Sequence, residues 1–529
     1  MTDPDLVLKS ATVVDGTGAP AFVADVGVTG ESVVALDRAR KLYGRATIDC
    51  DGLVVAPGFI DTHSHSDLKV LSDPTLGAKL RQGVTFEVFG QDGISVAPVR
   101  PKDKKDLAKR LAGLDGTWPD WGWETTADYL RFLEKHPASI DRSYLVPHGA
   151  VRQYVMGMDD RPPTERELAD MKRVLTAELD AGALGMSTGL IYPPCCYADT
   201  AELVELNKIV AAKNKVFVVH MRSESDRILR ATQEMLDVVA GSGVHLHISH
   251  FKIAGRNNWP EVENLIALVK ASIASGARIT ADQYPYVAGS TMLGAILPPW
   301  AHAGGADECV RRLSTKADRD RMRAELLAPP PLDWDNFWAW SGPEGIRVAD
   351  VPSGRRSEVV GKSLADAARD AGKDAMEFAF DLLKDEKLGV AMVSFSQSED
   401  VVARLMREPF VNVCTDGLLG GRPHPRAYGT YPRVLGRYVR ERGLLPLEEA
   451  IRKMTSQAAD AMHLDGRGRV APGQLANLVA FDPAIVEDRA TFDEPRLPPA
   501  GIEHVLVRGA VAVRHGEATG ALAGRVVRR

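Results

Sequence analysis

Cysteine is scarce in this chain, with five among 529 residues, and two of the five are adjacent at Cys195 and Cys196. So few, so placed, cannot build a disulfide framework. Cys195 and Cys196 stand in a Pro-Pro-Cys-Cys-Tyr loop with no second pair at zinc-site spacing, which makes them reduced loop or packing residues. An excess of basic charge is absent as well. Lys and Arg number 65 against 71 Asp and Glu, a formal net charge of -6, so neither nucleic acid nor an anionic membrane surface is expected as a partner. No apolar run approaches the ~20 residues of a spanning helix. The opening Met1-Thr2-Asp3-Pro4-Asp5 lacks the charged-then-apolar order of a secretory signal, and a cytoplasmic location is the expectation.

What the chain does have is concentrated in one stretch, Ala56-Pro57-Gly58-Phe59-Ile60-Asp61-Thr62-His63-Ser64-His65, an apolar run ending in two histidines one residue apart. In extended backbone, residues two apart share a face, so His63 and His65 can present two imidazoles to one metal ion. Downstream, short apolar strands alternate with amphipathic helices at intervals of roughly 30 residues, the rhythm of a parallel βα barrel. Thr164-Glu165-Arg166-Glu167 reads as a capping box, followed by Leu168, Met171, Leu175 and Leu179 at helical spacing, with Gly182 as the stop.

Alternating apolar runs at both ends predict one small β-sandwich domain built from residues 1–56 and 466–529. Between them an α/β architecture is expected, a (β/α)8 TIM-like barrel over 57–297 and 389–465, with the run Gly389–Ser394 resuming the barrel rhythm. From 298 to 388 that rhythm breaks, with Trp300, Trp334, Trp338, Trp340 and a Pro329-Pro330-Pro331 run, and this insertion is expected as a lid over the active face.

His63, His65, His220, His250 and Asp416 each fall at the C-terminal end of an expected strand, which a closed barrel brings to one mouth. Such donors suit zinc or a similar divalent ion. His245 and His247 are out of phase with His250 along their strand and are expected to face away from the site as structural residues. Five separated motifs then carry a resemblance: Pro57-Gly58-Phe59-Ile60-Asp61-Thr62-His63-Ser64-His65, His220-Met221-Arg222-Ser223-Glu224, Ser249-His250-Phe251-Lys252, Asp416-Gly417 with His424-Pro425-Arg426, and Gly429-Thr430-Tyr431-Pro432-Arg433. In this order they resemble the amidohydrolase superfamily, and more narrowly its N-acyl-D-amino-acid deacylases, the D-aminoacylases.

The resemblance implies one or two Zn2+ ions held by these histidines and Asp416. Asp416 would also carry the proton, taking it from the attacking water and returning it to the departing amine. The substrate carboxylate is expected at Arg426, a planar bidentate partner, with Lys252, Tyr284 and Ser290 as further donors. Tyr192 and His148 are expected to approach the scissile amide. Two departures stand out. Where those relatives carry Gly-Asn-Cys-Gly, with the cysteine helping to bind metal, this chain reads Gly90-Gln91-Asp92-Gly93. Asp92 is the expected ligand in its place, able to serve one ion or bridge two, with Glu87 within the strand as the weaker alternative and turn formation as the bland one. Ala476-Asn477-Leu478 stands where Ala-Asp-Leu is common, without consequence for catalysis.

The expected activity is hydrolysis of the linear amide of a small-molecule N-acyl amino acid, of D configuration, to a carboxylate and a free amino acid, with a homo-oligomer left open. Three alternatives remain: an amidohydrolase acting on L substrates, a cyclic-amide hydrolase of the dihydroorotase and hydantoinase kind, and a metal-free binding protein on the same scaffold. The cyclic-amide enzymes generally use a carboxylated lysine, for which no well-placed strand-end lysine is found.

Overall fold

The computed structural model describes residues 3–529. Eight parallel strands follow one another around a sheet in sequence order: β1 (Phe59–Asp61), β2 (Val84–Phe89), β3 (Asp141–Pro147), β4 (Gly185–Gly189), β5 (Val216–His220), β6 (His245–Ile248), β7 (Ile279–Gln283) and β8 (Val411–Val413). Helices Glu165–Asp180, Thr200–Ala212, Ile228–Ser242 and Val262–Ala274 cross between successive strands. The first of these starts on the Thr164 capping box, whose hydroxyl accepts from the Glu167 backbone amide. The seam between β8 and β1 closes just beyond the strands, where Asp416 N donates to His63 O at 2.9 Å and Ser64 bridges to Gly417. The residues expected to bind metal are thus the ones that complete the barrel.

Beneath this mouth the interior is polar. Lys79 Nζ, fully buried, lies 2.8 Å from Asp61 Oδ2, 2.7 Å from Glu87 Oε1 and 2.7 Å from Thr415 Oγ1. Asp61 in turn accepts from Thr415 N at 2.8 Å, so one buried lysine holds the segments leaving β1 and β8. Glu87 is held by Lys79 and the Ser64 hydroxyl, below the metal-ligand level.

The two ends of the chain build one further sheet. Val54–Pro57 is its hinge, pairing parallel with Leu6–Val13 and antiparallel with Leu478–Phe481. The sheet curls so that Ser32 bridges to Leu475, and its enclosed face packs Leu8, Val26 and Val55 with Leu478 and Leu506. Asn477 sits at the junction with the barrel. Its Nδ2 donates to Asp141 Oδ2 at 3.3 Å and its Oδ1 accepts from Arg508 N at 2.7 Å; an aspartate there would face another carboxylate. Beyond Ala518 the chain leaves the sheet, contrary to the expectation for 466–529. Its last residues run along the start of β3, with Arg142 N donating to Arg525 O and Val527 N to Arg142 O.

The inserted subdomain is wider than its composition suggested. Ala391–Phe395, expected to resume the barrel, is the central strand of a three-stranded antiparallel sheet between Ala288–Met292 and Ile346–Asp350. A short apolar run has the same periodicity in either setting, and only its partners decide. Five helices from Ala306 to Asp385 cover this sheet around a separate core that includes Leu293, Met322, Phe378 and Met392. Among the described residues no helix is long and apolar enough to cross a membrane, and all five cysteines are free.

Candidate active site

Six expected ligands converge at the C-terminal mouth of the barrel. His63 and His65 leave β1, His220 ends β5, and Asp92, His250 and Asp416 stand in the turns after β2, β6 and β8. Those three residues adopt left-handed backbone, with φ of 56°, 37° and 47°. Such conformations cost a non-glycine residue about 1–3 kcal/mol and persist where surrounding structure enforces them. Here they turn the side chains into the mouth. At His250 the turn also resets the strand's phase, which corrects the reading of its neighbours. His245 and His247 pair in register with Val216 and Val218, the latter in the barrel interior. His247 is structural but does not face away: its Nε2 donates to Asp282 Oδ2, 2.9 Å away, and Asp282 also accepts from the Thr62 hydroxyl at 2.7 Å and from the His250 amide.

The donor spacings test whether a metal fits. His63 Nε2 and His250 Nε2 each lie 3.6 Å from Asp92 Oδ1, and His65 Nε2 lies 3.6 Å from Asp92 Oδ2. Asp416 Oδ1 is 3.7 Å from His63 Nε2 and 3.4 Å from His65 Nε2. These separations are too long for hydrogen bonds. They match ligands about 2.0–2.1 Å from a tetrahedral ion, which stand roughly 3.4 Å apart. His63 Nε2, Asp92 Oδ1 and His220 Nε2 are buried without a hydrogen-bond partner, an arrangement that costs about 1–3 kcal/mol per group unless something else engages them. The cluster therefore fits a divalent ion. Three overlapping ligand groups are present, His63 with Asp92 and His250, His63 with His65 and Asp416, and His220 with Glu224 and His250, and Asp92 turns one oxygen to each side.

Two participants escaped the sequence reading. Glu224, four residues past His220, approaches His220 Nε2 at 3.5 Å and His250 Nδ1 at 3.0 Å. Asp115, from the loop after helix Lys104–Leu111, lies 3.4 Å from His65 Nδ1, the nitrogen turned away from Asp92 and Asp416. A carboxylate on the far nitrogen of a ligating histidine fixes its ring and raises its basicity. Glu224 lies within a motif already singled out, whereas Asp115 carries no signal, being a loop carboxylate with no fixed spacing to the histidine it orients.

Charge follows the same geometry. Burial disfavours the His65 cation, yet Asp115 and Asp416 overturn this and push its pKa up to about 10. His220, where burial dominates, is pushed down to about 3 and is neutral, whereas the proton on His65 is one that a bound cation would displace. For Asp416 burial acts upward, but the Arg426 guanidinium and His63 hold the carboxyl far below its ordinary value.

A cleft of ≈ 430 Å3 opens over the cluster, lined by Asp92, His220, His250, Asp416, Lys252 and Arg426 together with Tyr192, Tyr284, Ser290 and, from the inserted subdomain, Phe337 and Trp340. Arg426 opens the helix Arg426–Arg433, its Nη1 2.8 Å from Asp416 Oδ2 and its Nη2 donating to Ser290 O at 2.9 Å. Its Nε and Nη1 have no aligned acceptor. Tyr284 Oη accepts from Gln397 Nε2 at 2.8 Å and keeps its own proton for a ligand. Lys252 is more committed than expected, with Glu224 Oε1 at 2.6 Å and His250 Nδ1 at 2.7 Å. Ser290 lines the cleft, though its hydroxyl donates to Met392 O at 2.8 Å. Tyr192 packs edge-on to His220, ring centroids 5.2 Å apart, and its hydroxyl meets Thr291 Oγ1 at 2.8 Å. His148 does not join them. Its ring lies between Thr188 Oγ1 at 2.9 Å and Glu202 Oε1 at 2.8 Å, captured by a buried carboxylate that also pairs with Arg152.

Fold and site together define a metal-binding (β/α)8 barrel. The chain belongs to the amidohydrolase family, whose model matches residues 46–513. It is 34% identical to a D-aminoacylase of Alcaligenes xylosoxydans xylosoxydans over 99% of this chain and 98% of that protein. It is 35% identical to an N-acyl-D-glutamate deacylase of the same organism over 96% of this chain and 93% of that one. The crystal structure of an N-acyl-D-glutamate deacylase from Bordetella bronchiseptica, complexed with zinc and a phosphonate inhibitor that mimics the tetrahedral intermediate, superposes with a TM-score of 0.85 at 32% identity, each chain covered in full.

Proposed function

We propose that this chain hydrolyses the linear amide of N-acyl-D-amino acids to a carboxylate and a free D-amino acid, with zinc as its cofactor. The observation that carries the reading is the convergence of His63, His65, Asp92, His220, His250 and Asp416 at ligand-to-ligand distances, beside an arginine ion-paired to Asp416 whose Nε has no acceptor. Relatives along the whole chain that act on N-acyl-D-amino acids support the choice of substrate.

His63, His65, Asp92 and Asp416, with His220 and His250, would hold one or two zinc ions. When bound, such an ion supplies Lewis acidity, lowering the pKa of water toward neutrality and polarising a carbonyl. The protein supplies the rest. Arg426 and the Tyr284 hydroxyl seat the substrate carboxylate, which fixes where the amide falls. Asp416, ionised in the resting site, takes the proton of the attacking water and delivers it to the leaving nitrogen, without which an amine is too poor a leaving group. Arg426, on its other oxygen, keeps it ionised and oriented. Phe337 and Trp340 cover the cleft and restrict bulk water. The cytoplasm suits five free thiols.

Hydrolysis of paired D and L N-acetyl amino acids, with an N-acetyl amine lacking the carboxylate, tests this directly. Turnover of D compounds, with the L and carboxylate-free compounds at least about 100-fold poorer, is expected. Turnover of none of them would refute the activity.

A further inference from the structure

The charges that line the catalytic cleft are few and almost all engaged. Lys252 is ion-paired with Glu224 Oε1 at 2.6 Å and also donates to His250 O at 3.2 Å. Arg426 alone keeps donors without an aligned acceptor, and it stacks over the Tyr284 ring, 4.4 Å from its centroid. Arginine and tyrosine together make a seat for one carboxylate. Away from the carboxylates Asp92, Glu224 and Asp416 at the cleft floor, the wall is uncharged, formed by Phe337 and Trp340, by Tyr192 bonded to Thr291, and by Ser394 and Ser396.

Tyr192 also lines a second pocket, whose walls are apolar side chains such as Ile94, Leu111 and Leu297. Its one guanidinium, Arg110, is paired with Asp106 at 3.0 Å and bonded to Gln153. His302 spends its Nε2 on Gly294 O at 3.0 Å. A substrate seated by its α-carboxylate on Arg426 therefore meets no second free cation, either in the cleft or in the neighbouring pocket.

We propose that the enzyme selects singly charged substrates, N-acyl-D-amino acids whose side chain is uncharged, and rejects those with a side-chain carboxylate, such as N-acyl-D-glutamate and N-acyl-D-aspartate. This rests on the hydrolase reading above and narrows its substrate class. A second carboxylate leaves water and finds no partner, and an uncompensated buried charge is among the costliest defects a binding site can hold. The aromatic pair Phe337 and Trp340, centroids 4.5 Å apart, instead offers apolar contact.

The test compares kcat/KM of the zinc-loaded enzyme for N-acetyl-D-leucine, N-acetyl-D-phenylalanine, N-acetyl-D-glutamine, N-acetyl-D-glutamate and N-acetyl-D-aspartate. Glutamine has the shape of glutamate without its charge, so it separates charge from size. The expected result is that leucine and phenylalanine exceed both acids by about 100-fold or more, and that glutamine exceeds glutamate by at least about 10-fold. Trp340→Ala should lower the phenylalanine-to-glutamine ratio of kcat/KM. Acids within 10-fold of leucine, or glutamine as poor as glutamate, would overturn the inference while leaving the deacylase reading intact. Hydrolysis of none of the five would overturn both.

Discussion

Asp92 is where this chain departs from the cysteine of the proteins it resembles, and its geometry says what the exchange achieves. A carboxylate can turn its two oxygens to two sides, and here one faces His65 while the other faces His63 and His250. Asp92→Ala should therefore lose both metal and turnover, whereas Asp92→Cys should bind zinc in preference to manganese, since thiolate favours the softer ion. Metal analysis with both ions decides it, and an Asp92→Ala enzyme with full metal content would reduce the residue to a turn former. His220→Ala and His250→Ala should each lose metal together with activity. Asp416→Asn should differ, keeping some metal while turnover falls by about 100-fold or more, because the amide retains shape but cannot take up and release a proton. The six donors were legible because each sits at or just past a strand end. The phase of His250 was not, since one left-handed residue redirects a side chain without leaving a trace in the alternation.

At the scale of elements, the helix from Glu165 was readable from local chemistry alone, because a threonine with a glutamate three residues on satisfies orphan amides at any such site. Thr164→Ala should cost about 1 kcal/mol of stability and leave kinetics unchanged, measured by thermal unfolding and steady-state assay. The strand Ala391–Phe395 was misplaced because its partners, Ala288–Met292 and Ile346–Asp350, are distant in sequence and no local pattern distinguishes them from barrel neighbours. A buried carboxylate helps to fasten the inserted subdomain to the site. Asp335 accepts from the hydroxyls of Ser223 and Ser225, each at 2.7 Å, and from Glu224 N at 2.8 Å. Its neighbours Phe337 and Trp340 wall the cleft. Asp335→Ala should lower kcat/KM by about 10-fold or more through loss of that positioning, with metal content retained; unchanged kinetics would make the fastening irrelevant to catalysis.

For the whole molecule, a barrel with a sheet drawn from both termini was legible from strand rhythm and from matching apolar runs at the two ends. The path of the last residues was not, since their pairing with the start of β3 depends on a groove that exists only once the barrel is closed. The account as a whole rests on a metal held between strands that meet only in the folded barrel, with the proton carrier fixed beside it by Arg426. Its most direct test is a titration of chelated, refolding-competent protein with zinc, following metal bound per chain and hydrolysis of an N-acetyl-D-amino acid together. Chelated protein should lose at least about 100-fold in rate, with activity returning in step with bound zinc. Full turnover by protein shown to be free of divalent ions would contradict it.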